Sequence, residues 1–291
     1  MTIELRHLYA FLAVAEEGNI TRAAARRHLS QPALSRTLRQ LEDHLGARLV
    51  DRSTHHLELT SEGRLFWDKA AAATAAVETA LDPGGLRAWP LRLGHTWAAL
   101  GEHTVALLRR WDADRPDMPL DVLRIDDRTA GLVQGRVDAA LLRGDFPAAG
   151  LRSEVLMWEE RVAAMPADSP LAALPRVTLA DLAAHPIALN VVFGSTTLDL
   201  WPPDARPAAV LEVANTDEWL VAIAAGRAVG VSTSATPVNH NNPALVYRPL
   251  VDAPPVPLAL AWRQEPGHPG IPALLELAHQ VIADARAKDP A

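Results

Sequence analysis

Residues 30–46 read SQPALSRTLRQLEDHLG and carry the clearest structural signal in the chain. Ser30 is a residue type that caps helices, Pro32 is tolerated in a first helical turn, and Gly46 favours a helix end. The leucines recur at helical spacing and form one apolar stripe, at Leu34, Leu38, Leu41 and Leu45. The stretch therefore predicts an amphipathic helix whose leucine stripe faces a core.

The other face of this predicted helix is polar and basic, and it has no acidic residue before Glu42. Arginine, glutamine and serine side chains supply the hydrogen-bonding groups that phosphates and base edges require. A plain solvated helix face is the alternative interpretation. We predict that this face contacts DNA through Ser30, Gln31, Pro32, Ser35, Arg36 and Arg39.

Shorter elements surround this helix. An apolar pattern predicts a first helix from Leu5 to Gly18, and a small-residue helix follows, with Thr21 as its N-cap and its end near residue 28. Two short strands are predicted at residues 48–52 and 57–60. This order is typical of a winged helix-turn-helix, in which the wing adds Arg52, His55 and His56 to the predicted DNA contacts.

Charge is distributed unevenly along the chain. The net charge is −7, but residues 1–64 carry +1 and residues 65–291 carry −8. Residues 20–40 contain no acidic residue and have arginine at Arg22, Arg26, Arg27, Arg36 and Arg39. A basic segment in an acidic protein predicts one surface directed at phosphates, and Arg22 joins the predicted DNA contacts on this ground.

At this level of detail the chain resembles the LysR-type transcriptional regulators. The matching motifs stand in the family's order and spacing: FLAVAEEG at residues 11–18, Ala24-Ala25, SQPALSR at residues 30–36, Leu41-Glu42, Leu45-Gly46, Arg52 and LTSEG at residues 59–63. The chain departs from the family at Val50, where phenylalanine is usual, and at His55-His56, where the wing tip is usually rich in glycine and arginine.

The resemblance covers nearly the whole chain and implies its organisation. It implies a winged helix-turn-helix domain over residues 1–60, a dimerisation helix and hinge over residues 61–88, and an effector-binding domain over residues 89–291. An Ala-rich helix is predicted from residue 61 to Leu81, and packing on its own domain is the alternative to dimerisation.

Residues 89–291 alternate strand-like and helical segments, which predicts α/β folding. We predict strands at 91–94, 120–125, 137–142, 187–192, 210–213 and 229–232, and helices at 101–111, 127–135, 178–184, 217–226 and 270–286. The resemblance implies two lobes like those of a periplasmic binding protein, with crossover strands near 160–166 and 258–264. The first lobe would comprise about 89–161 and 265–291, and the second about 162–264.

In such folds ligands bind between the lobes, at the carboxyl ends of strands and the starts of helices. Residues with suitable side chains follow these predicted ends: Thr96, Trp97, Arg143, Ser195, Thr196, Thr197, Thr216, Trp219 and Thr233. Hydroxyls, one arginine and indole rings suit a small carboxylate with an apolar or aromatic body. The alternative is that the hydroxyls cap helices and the tryptophans fill cores.

Signals for catalysis, cofactors and membranes are absent from the sequence. The chain has no cysteine, so a thiol nucleophile and a cysteine-ligated metal are excluded. No GxGxxG, Walker, HExxH or GxSxG motif occurs, so we expect no enzyme activity, no cofactor and no metal. Neither a signal peptide nor a membrane span is evident, so a cytoplasmic protein without membrane contact is expected.

The leading hypothesis is a regulator that binds double-stranded promoter DNA as a homodimer or homotetramer and responds to a small-molecule effector. If it activates transcription, a contact with RNA polymerase is expected. One alternative is a constitutive or architectural DNA-binding protein whose α/β domain serves oligomerisation alone. Another is a solute-binding or enzymatic α/β protein with an incidental helical domain.

Overall fold

A computed structural model describes residues 2–51, 57–81, 89–147, 149–264 and 267–288, without the side chains of Thr79 and Lys288. The chain folds as two compact units, Met1–Arg87 with Val133–Arg136, and Ala88–Leu132 with Val137–Ala291. The predicted wing contacts Arg52, His55 and His56 and the predicted hinge at 82–88 lie outside the described residues. No helix of the described part is long and apolar enough to cross a bilayer.

The first unit is mainly helical. Its elements are α1 (Leu5–Glu17), α2 (Ile20–Arg26), α3 (Gln31–Leu45), β1 (Val50–Asp51), β2 (Glu58–Leu59) and α4 (Ser61–Leu81). Gly18 and Gly46 end α1 and α3 in the left-handed region, at φ of 56° and 65°, where glycine carries no Cβ penalty. β1 and β2 pair antiparallel, as the sequence predicts for the wing.

The start of α2 differs from the prediction. The side chain of Asn19, not that of Thr21, caps this helix by accepting from the backbone N–H of Arg22 at 3.0 Å. Both residue types cap helices, and Asn19 prevails because its extended backbone places its side-chain oxygen beside the third helical residue. The helix ends at Arg26, and His28 follows in the left-handed region at φ 55°.

The core of the first unit joins the three N-terminal helices to the wing. Leu34, Leu38 and Leu41 are fully buried with Phe11, whereas Leu45 is 41% exposed, so the stripe of α3 is buried over its first three leucines. A Cβ at Gly63 would lie 2.0 Å from the carbonyl oxygen of Leu49, so the approach of α4 to the wing requires glycine there.

The second unit contains two five-stranded sheets. Its strands are β3 (Leu91–His95), β4 (Leu120–Arg124), β5 (Ala139–Arg143), β6 (Leu151–Glu159), β7 (Arg161–Pro166), β8 (Ile187–Asn190), β9 (Val210–Val213), β10 (Val229–Thr233), β11 (Leu245–Pro249) and β12 (Val256–Arg263). Its helices are α5 (Thr104–Asp114), α6 (Leu179–Ala183), α7 (Thr216–Ala224), α8 (Ala235–Asn239) and α9 (Ile271–Lys288). Short 3₁₀ helices form at Gly101–His103, Pro170–Ala173 and Leu198–Leu200.

Each sheet has its own core and defines one lobe. The first lobe has strand order β4-β3-β5-β12-β6 and packs on α5 and α9 around Trp111 and Leu274. The second lobe has order β11-β7-β10-β8-β9 and buries Leu182, Trp201 and Ile223 from its helices and loops. The chain crosses between the lobes twice, from β6 to β7 and from β11 to β12.

Two predictions about residues 89–291 are wrong. Residues 127–135 form turns, because Ala130, Gly131 and Gly135 have φ of 49°, 80° and 69°, which an α-helix does not allow. β12 pairs with β5 and β6, so Val256–Arg263 belongs to the first lobe and not to a second lobe that extends to residue 264. The alternating segments indicated a strand there, but its partners are set by contacts distant in sequence.

Some elements were not predicted. β6 is an edge strand whose exposed run from Arg152 to Val155 interrupts the alternation of apolar and polar residues. β11 and the short α8 lie in a segment rich in proline and asparagine, which sequence patterns assign to loops.

Candidate functional site

Helix α3 presents a basic surface. Arg36 and Arg39 are exposed, and neither side chain has a hydrogen bond or ion pair with any residue that the structure describes. Gln31 and Pro32 are exposed in the first turn, and Ser30 caps the helix by accepting from the N–H of Ala33 at 3.3 Å. Ser35 is half-buried beside them. The arrangement offers two guanidinium groups along one helix face that have no partner among the described residues.

The arginines of α2 have acidic neighbours. Arg22 forms an ion pair with Glu17, Nε to Oε2 at 3.5 Å, and also donates to the backbone oxygen of Glu17. Arg26 pairs with Glu16 and Glu17. The local excess of charge is therefore smaller than residues 20–40 suggest, because the last turn of α1 supplies the counter-charges.

Arg48 is an exposed cation that the sequence reasoning did not select. It lines a surface groove of about 600 Å³ together with Arg39, between the end of α3 and the wing strand β1. Glu42 and Asp43 line the same groove, and Glu42 accepts from the N–H of Leu49 at 2.9 Å. The place of Arg48 at the start of the predicted wing strand is the sequence signal that could have identified this residue.

A small cavity lies between the two lobes. It has a volume of about 40 Å³, room for about three water molecules. The structure brings together five of the predicted effector residues on its walls: Trp97 from the first lobe, and Ser195, Thr196, Thr216 and Trp219 from the second. Asn190, Ser232 and Thr236 add polar groups, so the walls are mixed in character.

A second cavity of about 350 Å³ adjoins the first. It is lined by Arg128, Arg143 and Asp145 of the first lobe and by residues of the loop after β8, including Thr196 and Thr197. Both cavities share Thr196 and the end of β8, so this loop separates them. A small displacement of one loop would therefore change the space available to a ligand.

The indole rings of the small cavity are held in place. Trp219 donates from Nε1 to the carbonyl oxygen of Ala188 at 3.0 Å. A Cβ at Gly230 would lie 2.2 Å from the ring of Trp219, so β10 must have glycine at this position. Trp97 stacks under the Arg143 guanidinium, 4.5 Å from Cζ to the ring centroid.

Arg143 occupies the cleft but its charge is neutralised. Its Nε and Nη2 donate to the two carboxylate oxygens of Glu159 at 2.9 and 2.7 Å, and Nη1 donates to the carbonyl oxygen of Trp97 at 3.0 Å. Both side chains are almost fully buried, at 3% and 2% exposed. The expected role of Arg143 as a free counter-ion for a carboxylate is therefore not supported by its contacts.

Arg161 is the cleft cation that sequence reasoning missed. It begins β7, is 8% exposed, and donates from Nη1 to the Thr196 hydroxyl at 3.0 Å and from Nη2 to the Ser195 carbonyl oxygen at 3.2 Å. Burial lowers its pKa. A single arginine at the start of an otherwise apolar strand is a signal that could have indicated it.

The remaining predicted effector residues are placed differently. Thr96 is buried and lines neither cavity, and Thr197 caps the 3₁₀ helix at 198–200 by accepting from the N–H of Asp199. Thr233 is completely buried, and its hydroxyl has no hydrogen-bond partner among the described residues. Thr197 therefore agrees with the alternative interpretation, in which a predicted effector hydroxyl caps a helix.

A histidine lies near the same cleft. Burial lowers the pKa of His95, and the positive charges of Arg143 and Arg124 lower it further, whereas Asp126 opposes them. Its Nδ1 has no partner in the described part of the chain. Within the described ranges no group of three or more histidine, aspartate or glutamate residues could hold a metal ion.

Comparison with known proteins gives matches over both units. The family model for bacterial regulatory helix-turn-helix proteins of the lysR family matches residues 5–64, and the model for the LysR substrate binding domain matches residues 84–283.

Similar curated proteins include the HTH-type transcriptional regulator YnfL of Escherichia coli (strain K12), 39% identical over 198 residues, which are 64% of this chain and 65% of YnfL. CatR of Pseudomonas putida is 36% identical over 64% of this chain and 65% of its own length. BenM of Acinetobacter baylyi is 26% identical over 97% of each chain. The matches to YnfL and CatR thus span just under two thirds of those proteins.

Solved structures of similar fold cover nearly the whole chain. CbnR, a LysR family transcriptional regulator, has a TM-score of 0.65 at 21% identity over 96% of this chain and 99% of that one. Full-length BenM has a TM-score of 0.55 at 25% identity over 97% of this chain and 98% of that one.

Proposed function

Since the chain belongs to the LysR family of bacterial helix-turn-helix regulators, we propose that it binds promoter DNA through α3 and responds to a small-molecule effector. The observation that carries the proposal is the pair of exposed arginines without partners among the described residues, Arg36 and Arg39, on the second helix of a helix-turn-helix. An amphipathic helix of this kind enters the major groove, where arginine recognises guanine and phosphate. Ser30, Gln31, Pro32 and Ser35 would lie at the same groove.

Fold similarity supports the DNA-binding part. A structure of CbnR complexed with its target DNA has a TM-score of 0.61 to this chain. We propose that the regulator acts on cytoplasmic DNA as a homodimer or homotetramer, with two recognition helices on two half-sites. If the regulator activates transcription, a contact with RNA polymerase would follow; HcaR of Escherichia coli (strain K12), 26% identical to this chain, is named as an operon transcriptional activator.

The cleft between the lobes is the proposed effector site. The rings of Trp97 and Trp219 form an apolar part of the cavity wall. Ser195, Thr196 and Thr216 supply hydroxyl groups to the same wall. Such a mixture suits a small carboxylate, and the loop after β8 would adjust the two cavities to its size. The effector would then act by changing the placement of subunits on DNA. We propose that binding, not catalysis, is the activity of this chain.

The experiment is a salt series of DNA binding with the upstream genomic region of the protein's own gene. Wild type, Arg36→Ala and Arg39→Ala are compared, and Arg227→Ala, an exposed arginine of the second unit, is the matched control. We expect binding to an imperfect palindrome to weaken steeply with salt and each α3 variant to lose about 1–3 kcal/mol. Equal affinities for all four proteins would contradict the proposal.

A constitutive DNA-binding protein is the second candidate, and one observation favours it. The cavity lined by both indole rings, at about 40 Å³, is far smaller than the roughly 300 Å³ of usual ligand sites, and the adjoining cavity of about 350 Å³, which reaches that volume, is lined by neither ring. A DNA footprint that no small molecule changes would support this candidate, whereas a footprint that shifts with one compound would support the effector proposal.

A further inference from the structure

Two buried arginines lie near the first crossover, one in each lobe. Arg143 ends β5 and Arg161 begins β7. Glu159 ends β6, and Glu160 links β6 to β7. Glu159 neutralises Arg143 through two hydrogen bonds. Glu160 is exposed and forms no ion pair with either arginine. Of these two buried arginines, Arg143 therefore has a counter-charge, and Arg161 has none among the described residues.

Every partner of Arg161 is a neutral oxygen. Its Nε donates to the carbonyl oxygen of Pro254 at 2.9 Å, in addition to the bonds to Thr196 and Ser195. A guanidinium has five N–H groups, so two of them remain without an acceptor in the described part of the chain. A buried charge that has no counter-charge raises the free energy of the folded protein, because burial removes its hydration.

A second unsatisfied group lies beside Arg161. Thr233 of β10 is directly opposite Arg161 in the antiparallel register with β7. Opposed residues of this kind share one face of a sheet, with Cβ atoms about 5 Å apart. The hydroxyl of Thr233 is completely buried and has no partner among the described residues. Two buried polar groups with unused hydrogen-bonding capacity among the described residues thus lie close together.

This place lies directly behind the wall of the small cavity. Ser195 and Thr196, which accept from Arg161, line that cavity, and Thr196 lines the larger cavity as well. Pro254, the third acceptor, lies in the second crossover between the lobes. The guanidinium therefore connects the start of β7, the loop after β8 and the second crossover.

We propose that Arg161, and not Arg143, selects an anionic effector for this cleft, with a carboxylate as the charged group. The inference rests on the proposed function, since it concerns the same cleft. A carboxylate beside Thr196 would compensate the charge of Arg161, and a neutral analogue of equal shape would not. The pair of Arg143 and Glu159 favours neither, because its net charge is zero. Arg161 is thus a specificity residue that acts through the Ser195–Thr196 loop.

The test compares carboxylates with their amides. Binding of acetate, butyrate and cyclohexanecarboxylate, and of the corresponding amides, to the full chain is measured by titration calorimetry at constant ionic strength. We expect at least one carboxylate to bind at least tenfold more tightly than its amide. Arg161→Gln should bring this ratio close to one. Arg161→Lys keeps the positive charge and should retain part of the preference for the carboxylate. If Arg161→Gln does not fold, Arg161→Lys still provides the comparison with wild type.

A matched variant separates the effect of the Arg161 charge from a nonspecific effect of removing an arginine. Arg152→Gln removes an exposed arginine of β6 and should keep the wild-type ratio. A ratio near one in wild type, a ratio unaffected in Arg161→Gln, or a wild type that binds none of the six compounds would overturn the proposal. Failure of the proposed function would appear separately, as loss of specific DNA binding in the salt series.

Discussion

The surface of α3 and the cleft between the lobes both use arginine, but they hold its charge in opposite ways. Arg36 and Arg39 are exposed and have no partner among the described residues, whereas Arg143 and Arg161 are buried and donate most of their N–H groups to protein oxygens. An exposed guanidinium costs little to keep charged, but a buried one is stable only with acceptors around it. The first kind of site can be found from composition, and the second depends on contacts distant in sequence.

The largest expected effect concerns the buried pair. Glu159→Gln leaves the guanidinium of Arg143 buried without a counter-charge, so we expect the second unit to lose about 3–5 kcal/mol of stability. Urea unfolding followed by tryptophan fluorescence measures this, because every tryptophan except Trp67 lies in residues 89–291.

The double variant Arg143→Met/Glu159→Leu is the control for this prediction. It removes both charges together, so it should recover much of the stability that Glu159→Gln loses. If Glu159→Gln were as stable as wild type, the pair would be a solvated contact, and the contrast between the two kinds of arginine would fail.

The sequence predicted the first unit in more detail than the second, for a physical reason. Helix periods, caps and glycine ends are local signals, and they located α1, α3 and the wing strands to within about two residues. The assignment of β12 to a lobe and the pairing of Arg143 with Glu159 depend on residues that meet only in the folded chain. The loop residues Ser195 and Thr196 were accessible to prediction because they follow a strand end, whereas Arg161 begins a strand.

The next prediction compares Arg39, which has no partner among the described residues, with a paired arginine of the first unit. Arg39→Ala should weaken specific DNA binding by about 1–3 kcal/mol, because its side chain has no competing partner in the described residues. Arg22→Ala should cost less than half of that, since Glu17 already accepts from Arg22. Fluorescence anisotropy with the wild-type operator, at one fixed salt concentration, provides the measurement. A larger loss for Arg22→Ala would show that DNA displaces Glu17.

A smaller effect concerns the cap of α2. Asn19→Ala removes the acceptor of the Arg22 N–H and should destabilise the first unit by about 1 kcal/mol. Thr21→Ala, at the position that the sequence pattern favoured, should stay within about 0.5 kcal/mol of wild type because Thr21 is exposed and does not cap the helix. Far-ultraviolet circular dichroism during thermal unfolding measures both. The opposite order of the two variants would restore Thr21 as the cap.

The smallest effect is a pH dependence that belongs to the second unit. Burial and two neighbouring arginines lower the pKa of His95 from its ordinary value of 6.5, so the unfolded chain binds this proton more readily than the folded one. Its contribution to stability is therefore complete above about pH 6.5 and is lost as the pH falls below that value. His240 and His268 also have lowered pKa values, so His95→Gln should reduce, but not abolish, the fall in melting temperature between pH 7 and pH 5. Identical pH profiles for wild type and His95→Gln would show that the cleft tolerates a charged imidazole beside its arginines.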